Sequence, residues 1–255
     1  MNLKTYLDFT TELAYRAGRI TLGYYNTGIR PDFKSDDTPV TVADKKAEQF
    51  IRGELERTYP NHAILGEEFG ESTEEGNPFR WIIDPIDGTK SFMRGVPLYG
   101  VLIGLEIEGT VRVGAAYFPA LDEMICAADG EGCWWNGRRA HVSDVASFDR
   151  ACICFTTYKN FTRREPGLFD RLSDTVYMMR GWSDAYGYLL VATGRSEAML
   201  DPYMKVWDCG PFPVILREAG GFFGSWQGEE GHIHGEALAC NAALRSRVLD
   251  FLRGD

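Results

Sequence analysis

The sequence predicts an α+β chain whose second half has α/β character, and three observations carry that expectation. A helical apolar period runs through the first two dozen residues, apolar β-branched runs separated by tight turns follow near the middle, and strand and helix patterns alternate from Ala151 onward. The first two describe helices packed on antiparallel hairpins, and the third describes a further layer packed against them. The polar stretch from Ser143 to Arg150 separates the two patterns. The chain is therefore read as an N-terminal α+β half, 1–145, and a C-terminal α/β half, 146–255.

Leu3, Leu7, Leu13, Ala14, Ala17, Ile20 and Tyr24 recur at helical spacing, and Asn26, Gly28 and Pro31 end the helix. Phe33 to Pro39 is polar and turn-rich, so it is expected as an exposed loop; its Lys34 is either simply solvated or within reach of a phosphate. Thr41 and Asp44 have capping-box spacing and open a second helix through Ala47, Phe50, Ile51 and Leu55, closed by Tyr59-Pro60. Ala63 to Gly66 is a short strand ending in Glu67-Glu68. Trp81 to Ile83 is a buried strand expected to end near Asp84, because Pro85 has no N–H for a central ladder.

Leu98–Glu106, Thr110–Phe118 and Glu123–Ala128 are strands with turns at Glu108-Gly109 and Asn136-Gly137, and Trp134 and Trp135 read as packing residues. The second half reads as a strand at Ala151–Phe155, helices around Pro166–Leu172 and Ala185–Thr193, and a strand at Glu197–Leu200. A helix around Pro211–Glu218, a strand at Leu238–Cys240 and a helix from Ala242 to Leu252 complete it. Pro211 and Pro213 must both lie in a first turn, or that third helix must start late.

A chain of 255 residues buries a core without staples, and its 44% hydrophobic content includes no run long enough for a membrane helix. A soluble protein is expected, and no membrane partner. Met1-Asn2-Leu3-Lys4 opens directly into an amphipathic pattern without a signal peptide's apolar block, so the cytoplasm is the expected location. The net charge of −10 disfavours nucleic acid as a partner but leaves room for a small anion held through a divalent cation. Cys126, Cys133, Cys152, Cys154, Cys209 and Cys240 form no CxxC pair and are expected to be reduced and structural.

The stretch from Trp81 to Phe92 carries the chemistry. An apolar strand ends in Asp84 and Asp87 with Pro85 stiffening the turn between them, and Gly88 and Thr89 begin a helix whose free N–H groups attract phosphate. Asp-Pro and Asp-Gly are also ordinary turn formers, and Asp87 as a helix cap or Asp44 as a capping-box member needs no metal. Glu67 and Trp207-Asp208 add carboxylates from separate segments. Ligands that are all oxygen suit Mg²⁺ or Mn²⁺ better than zinc, and the four histidines show no zincin spacing.

Gly66-Glu67-Glu68, Asp84-Pro85-Ile86-Asp87-Gly88-Thr89 and Trp207-Asp208 followed by Glu218-Ala219-Gly220-Gly221 together resemble the inositol monophosphatase superfamily of lithium-sensitive, Mg²⁺-dependent phosphatases. The resemblance covers nearly the whole chain. It implies a layered αβαβα sandwich of the inositol monophosphatase and fructose-1,6-bisphosphatase type, usually a homodimer, with two or three Mg²⁺ ions for which Mn²⁺ can substitute. It further implies metal ligation by Glu67, Asp84, the Ile86 carbonyl, Asp87 and Asp208, with Glu67 also counted as catalytic. Thr89 and Asp44 match the pair that helps orient the attacking water, and the Gly88 and Thr89 N–H groups match the phosphate cradle.

Within the superfamily, Thr38 to Asp44, Gly66 to Gly70, Gly181 to Tyr188, Trp226-Gln227-Gly228 and Ile233-His234-Gly235 resemble the histidinol-phosphatase branch. That resemblance implies Asp184, Asp201 and Lys205 as substrate-binding residues, Asp184 facing a substrate amine by charge pairing. Asp184 as a cap on the helix beginning at Ala185 is the plainer alternative. The expected function is Mg²⁺-dependent hydrolysis of a small phosphate monoester, L-histidinol phosphate first. The alternatives are an inositol-1-monophosphatase or broad small-phosphate phosphatase, a 3'(2'),5'-bisphosphate nucleotidase, and a non-catalytic metal-binding member of the fold.

Overall fold

A computed structural model describes residues 2–33, 35, 39–72, 77–182 and 184–254. Lys34, for which phosphate contact was one reading, lies outside the described residues. The chain begins with α1 (Leu3–Leu22), capped by the Asn2 side chain, and its buried stripe of Leu7, Leu13, Ala14 and Ala17 follows the apolar period of the sequence. The expected exposed loop after it contains a two-residue ribbon, β1 (Asp32–Phe33) against β2 (Pro39–Val40), with Phe33 exposed. Then α2 (Val42–Thr58) starts at a complete Thr41/Asp44 capping box.

The strands β3 (Ala63–Gly66), β4 (Gly70–Ser72) and β5 (Phe79–Asp87) follow, then the short helix α3 (Thr89–Met93). The meander β6 (Gly100–Ile107), β7 (Thr110–Phe118), β8 (Glu123–Ala128), β9 (Gly132–Trp135) and β10 (Arg138–Arg139) completes an eight-stranded sheet in the order β10-β9-β8-β7-β6-β5-β3-β4. Within this sheet, among the described residues, only β3 and β5 pair in parallel. The turn between β9 and β10 has Asn136 and Gly137 at φ 45° and 75°, the positive values that suit this dipeptide to a tight hairpin.

One expectation is corrected here. β5 does not stop at Asp84 but continues to Asp87, pairing Asp84 with Leu102 and then Asp87 with Gly100 across a register shift. Pro85 is accommodated because the shift is a bulge, and a bulged residue owes the ladder no N–H.

A second, five-stranded sheet has the order β12-β11-β13-β15-β14. Its chain path is β11 (Cys152–Phe155), α4 (Tyr158–Arg164), α5 (Leu168–Thr175), β12 (Met178–Arg180), α6 (Ala185–Ala192) and β13 (Ala198–Asp201). It continues through α7 (Val206–Cys209), α8 (Phe212–Glu218), β14 (Gly221–Gly224), β15 (Ala237–Asn241) and α9 (Arg245–Arg253). α4, β12 and β14 were not expected. α4 buries only Phe161 and so shows no period, β12 is a three-residue edge, and the glycines that bound β14 read as turns. The helix expected around Pro211–Glu218 is α8, with Pro211 as its N-cap and Pro213 in its first turn, and the short α7 before it was not expected.

Three apolar clusters define the layers. Leu7, Leu13, Ile51 and Leu55 of the first two helices pack on Ile103, Leu105 and Val113 of the large sheet. The alternate residues Leu102, Ala116 and Ile125 face Tyr188 and Leu189 of α6 and Phe212 and Ile215 of α8, which also cover Cys154, Met199 and Ala239 of the small sheet. That sheet's far face, with Ile153, Leu200 and Leu238, packs on Phe161, Leu168, Leu172 and Val248. The result is an αβαβα sandwich, as expected. All six cysteines are free and buried, and among the described residues no helix is long and apolar enough to cross a membrane.

Candidate active site

The bulge at the end of β5 folds the chain back on itself. Asp84 Oδ1 accepts the Ile86 N–H at 3.0 Å, the Ile86 side chain is buried, and the Ile86 carbonyl accepts the Thr89 hydroxyl at 3.1 Å. Gly88 is the N-cap of α3 at φ 78°, a left-handed conformation that favours glycine, and a Cβ there would stand 2.9 Å from Asp184 Oδ2. Glu67 follows β3, and its N–H donates to the Ile83 carbonyl at 3.2 Å, locking the two parallel strand ends together.

Asp208 arrives from α7, with Oδ2 accepting the Lys205 N–H at 2.8 Å. The junction after it approaches the large sheet at Gly104 and Gly114, where a Cβ would collide with the Gly210 carbonyl and stand 2.8 Å from Pro211 Cα. These two glycines admit α7 and α8 closely enough for Asp208 to reach the end of β5. Asp84, Asp87 and Asp208 thereby offer carboxylate oxygens within 4.8 Å of one another.

A cavity of about 200 Å³ opens over this cluster. Its lining includes Glu67, Asp84, Ile86, Asp87, Gly88, Thr89, Asp184, Asp201 and Asp208, so the structure brings these sequence-selected residues together. Asp44 lies behind the wall, fully buried: Oδ2 accepts the Thr41 N–H at 2.8 Å and the Thr41 hydroxyl, and Oδ1 lies 3.5 Å from Thr89 Oγ1. Lys205 does not line the cavity. Its side chain is exposed, and only its backbone N–H engages the site through Asp208.

Sequence reasoning did not single out Lys90, Thr156, Tyr203 or Met204, which also line the cavity. Lys90 adjoins Thr89 and was within reach of the motif. The other three carry no sequence pattern, because they arrive from loops after β11 and β13.

Asp184 makes no side-chain cap on α6. It has φ 40°, and Oδ2 accepts the Ser91 hydroxyl at 3.1 Å, while the Ala185 N–H is taken by Asp87 Oδ2 at 2.6 Å. Asp87 therefore caps the helix and Asp184 is left directed toward the cavity. Asp201 is held by the Thr156 hydroxyl on Oδ1 and the buried Tyr188 hydroxyl, at 2.8 Å, on Oδ2.

Burial, then mutual repulsion, raises these carboxyls. Asp84 and Asp87 are held well above the usual carboxylate range by desolvation, reinforced by Glu67 at Asp84 and by Asp184 at Asp87. Asp208 and Asp201 are each pushed up to about 7, and Asp44 to about 6, with burial the largest cause in each case. Lys90 is the sole cationic side chain among the lining residues, and it is exposed. A buried cluster of hard oxygen ligands without a guanidinium or ammonium partner fits a divalent cation, with the Asp84, Asp87 and Asp208 carboxylates as its donors.

Such a cluster beside the start of α3 is the arrangement expected of a metal-dependent phosphate-ester hydrolase. The inositol monophosphatase family model matches residues 2–250, and the chain belongs to that family as a phosphomonoesterase. It is 42% identical over 254 residues to a histidinol-phosphatase from Chlorobaculum parvum, covering 98% of this chain and 97% of the relative. It is 40% identical to a histidinol-phosphatase from Mycobacterium tuberculosis, covering 93% and 94% of the two chains. Among solved structures, the extragenic suppressor protein suhB from Bartonella henselae superposes with a TM-score of 0.91 at 28% identity, over 98% of each chain.

Proposed function

We propose that this chain is a Mg²⁺-dependent phosphatase of L-histidinol phosphate. The observation that carries the substrate is Asp184. Its carboxylate is held at the cavity by Ser91, close against Gly88; Lys90 acts on it only through its field, and no arginine or lysine among the described residues forms a contact ion pair with it. A substrate ammonium supplies the missing positive charge, whereas an inositol ring offers only hydroxyls. The histidinol-phosphatase relatives support the same reading.

In this reading Glu67, Asp84, the Ile86 carbonyl, Asp87 and Asp208 hold two or three Mg²⁺ ions, for which Mn²⁺ can stand in. Ions held there lower the pKa of water and neutralise charge on the phosphoryl and leaving oxygens. The protein does the rest. The Gly88 and Thr89 N–H groups orient the phosphate, and the Thr89 hydroxyl, whose hydrogen is directed at the Ile86 carbonyl and Asp44, accepts a hydrogen bond from the attacking water and passes its own proton to the Asp44 carboxylate as it takes the water's. Glu67 receives that water from the opposite side, and Asp184 and Asp201 bind the alcohol portion. Residues 1–145 thus hold the metals and phosphate, while 146–255 read the substrate and return Asp208.

Thr89→Val preserves side-chain shape while removing the hydroxyl. It is expected to lower kcat by about 10²-fold with little change in melting temperature, the lower end of what a positioned proton-transfer group contributes. Phosphate release under saturating substrate measures it, and an unchanged kcat removes Thr89 from the water-orienting role. Asp184→Asn is expected to raise KM for histidinol phosphate by about tenfold, the equivalent of ~1.4 kcal/mol of lost charge pairing, and to leave inositol-1-phosphate hydrolysis nearly unchanged. Wild-type rates that are comparable on histidinol phosphate, inositol-1-phosphate and a bisphosphate nucleotide would instead define a broad small-phosphate phosphatase.

A further inference from the structure

One face of α2 carries Asp44, Glu48 and Arg52 at intervals of four residues, so they stand in a row along the helix. Asp44 faces Thr89. The other two have no part in the chemistry described so far, yet Glu48 is a fully buried carboxylate. Its Oε2 accepts the Glu68 N–H at 2.8 Å, and its Oε1 accepts the Phe69 N–H at 3.2 Å and the Arg52 Nε–H at 2.8 Å. Arg52 in turn donates to the Ser72 hydroxyl at 3.3 Å and to the Gly70 carbonyl. A Cβ at Gly66 would fall on the Glu48 carboxylate, so glycine is what admits it.

We propose that Glu48 is a positioning residue for Glu67, fixing the backbone from which that ligand reaches the cation. The inference rests on the assignment of Glu67 as a metal ligand made above. On its N-terminal side Glu67 is anchored to β5, the strand bearing Asp84, by its own N–H at 3.2 Å from the Ile83 carbonyl. On its C-terminal side the next two N–H groups converge on Glu48. The turn is therefore clamped between the strand and the helix, and Arg52 extends the clamp to β4 while balancing the buried charge.

Burying a carboxylate costs free energy unless its acceptor sites are filled, and a neutral side chain would suffice to cap a turn. An ionised carboxylate accepts both N–H groups and the guanidinium at once. A neutral amide cannot, because its NH₂ group would confront a backbone N–H. Groups that orient metal ligands change metal affinity by roughly 10- to 100-fold when removed.

The test is Mn²⁺ binding to the full-length protein, followed by calorimetry and by the electron paramagnetic resonance of free Mn²⁺, in wild type, Glu48→Gln, Glu67→Gln and the double variant. Glu48→Gln is expected to weaken Mn²⁺ by about tenfold, to add little further loss in the Glu67→Gln background, and to regain most of its kcat at saturating Mg²⁺. Undiminished Mn²⁺ affinity in Glu48→Gln, even with a lower melting temperature, overturns the proposal and leaves Glu48 as a structural residue. Fully additive losses overturn it too, since Glu48 would then not act through Glu67. If Glu67→Gln itself binds Mn²⁺ as wild type does, the ligand assignment fails instead. Should Glu48→Gln not fold, Gly66→Ala displaces the same carboxylate and is read by the same binding loss.

Discussion

Asp87→Asn is expected to lower phosphate release by about 10³-fold or more, ~4 kcal/mol of transition-state stabilisation, while raising the melting temperature of the ion-free protein. Both effects follow from one geometry. Asp87 is buried within reach of Asp84 and Asp208, and its carboxyl is driven well up by desolvation and then by the nearby Asp184 and Asp208 charges. Its ionised form therefore opposes folding when no cation is bound. An asparagine keeps an oxygen for the Ala185 N–H, which Asp87 accepts at 2.6 Å, and replaces a repelling charge with an amide that donates to the neighbouring carboxylates. The substitution also removes a hard anionic ligand, leaving the phosphoryl charge undercompensated. Initial rates at saturating Mg²⁺ and thermal unfolding in chelator measure the two effects. Near-wild-type turnover would sink the metal assignment, and a lower melting temperature would mean that the cap on α6 outweighs the repulsion.

The second large effect joins pH to the cation. Asp201 and Asp208 titrate near 7 and Asp44 near 6 in the folded protein, against about 4 for an exposed aspartate. Between these values the folded chain holds protons that the unfolded chain has released. The stability of the ion-free protein therefore falls as pH rises from about 4 to about 7. Mg²⁺ reverses the trend, because it is attracted to the ionised cluster and binds the folded state preferentially. Thermal unfolding at pH 5 and pH 8, with chelator and with excess Mg²⁺, is expected to show a small shift at the lower pH and a larger one at the higher. For a chain of this length each 1 kcal/mol moves the melting temperature by roughly 2 to 4 °C. Equal shifts at both pH values would show that these carboxyls do not carry the binding.

Part of this was open to reading in one dimension because it is encoded over a few residues. The Thr41/Asp44 box, the Asn136-Gly137 turn and the left-handed Gly88 are local conformational preferences, and local interactions leave local patterns. The nearly continuous apolar runs of β6, β7 and β8 likewise mark strands covered on both faces, one by α1 and the other by α8. Pro85 was misjudged for a related reason. A missing N–H is a local fact, but whether it interrupts a ladder depends on the neighbouring strand, and the register shift against β6 absorbs it.

The chain by itself determined most of the elements, the family resemblance and which carboxylates to look for. Tertiary structure alone decided how they meet. Asp208 reaches Asp84 because Gly104 and Gly114 let the α7–α8 junction close on the large sheet, and Asp184 is left facing the cavity because Asp87, 98 positions from Ala185 in the chain, takes the Ala185 N–H. Lys205, which the family resemblance put at the substrate, turns its side chain to solvent, while Glu48, one turn beyond Asp44, closes on the loop that carries Glu67. None of these contacts has a period or a short-range partner to mark it. Each is a consequence of packing, which brings distant segments within bonding distance only once the layers have assembled.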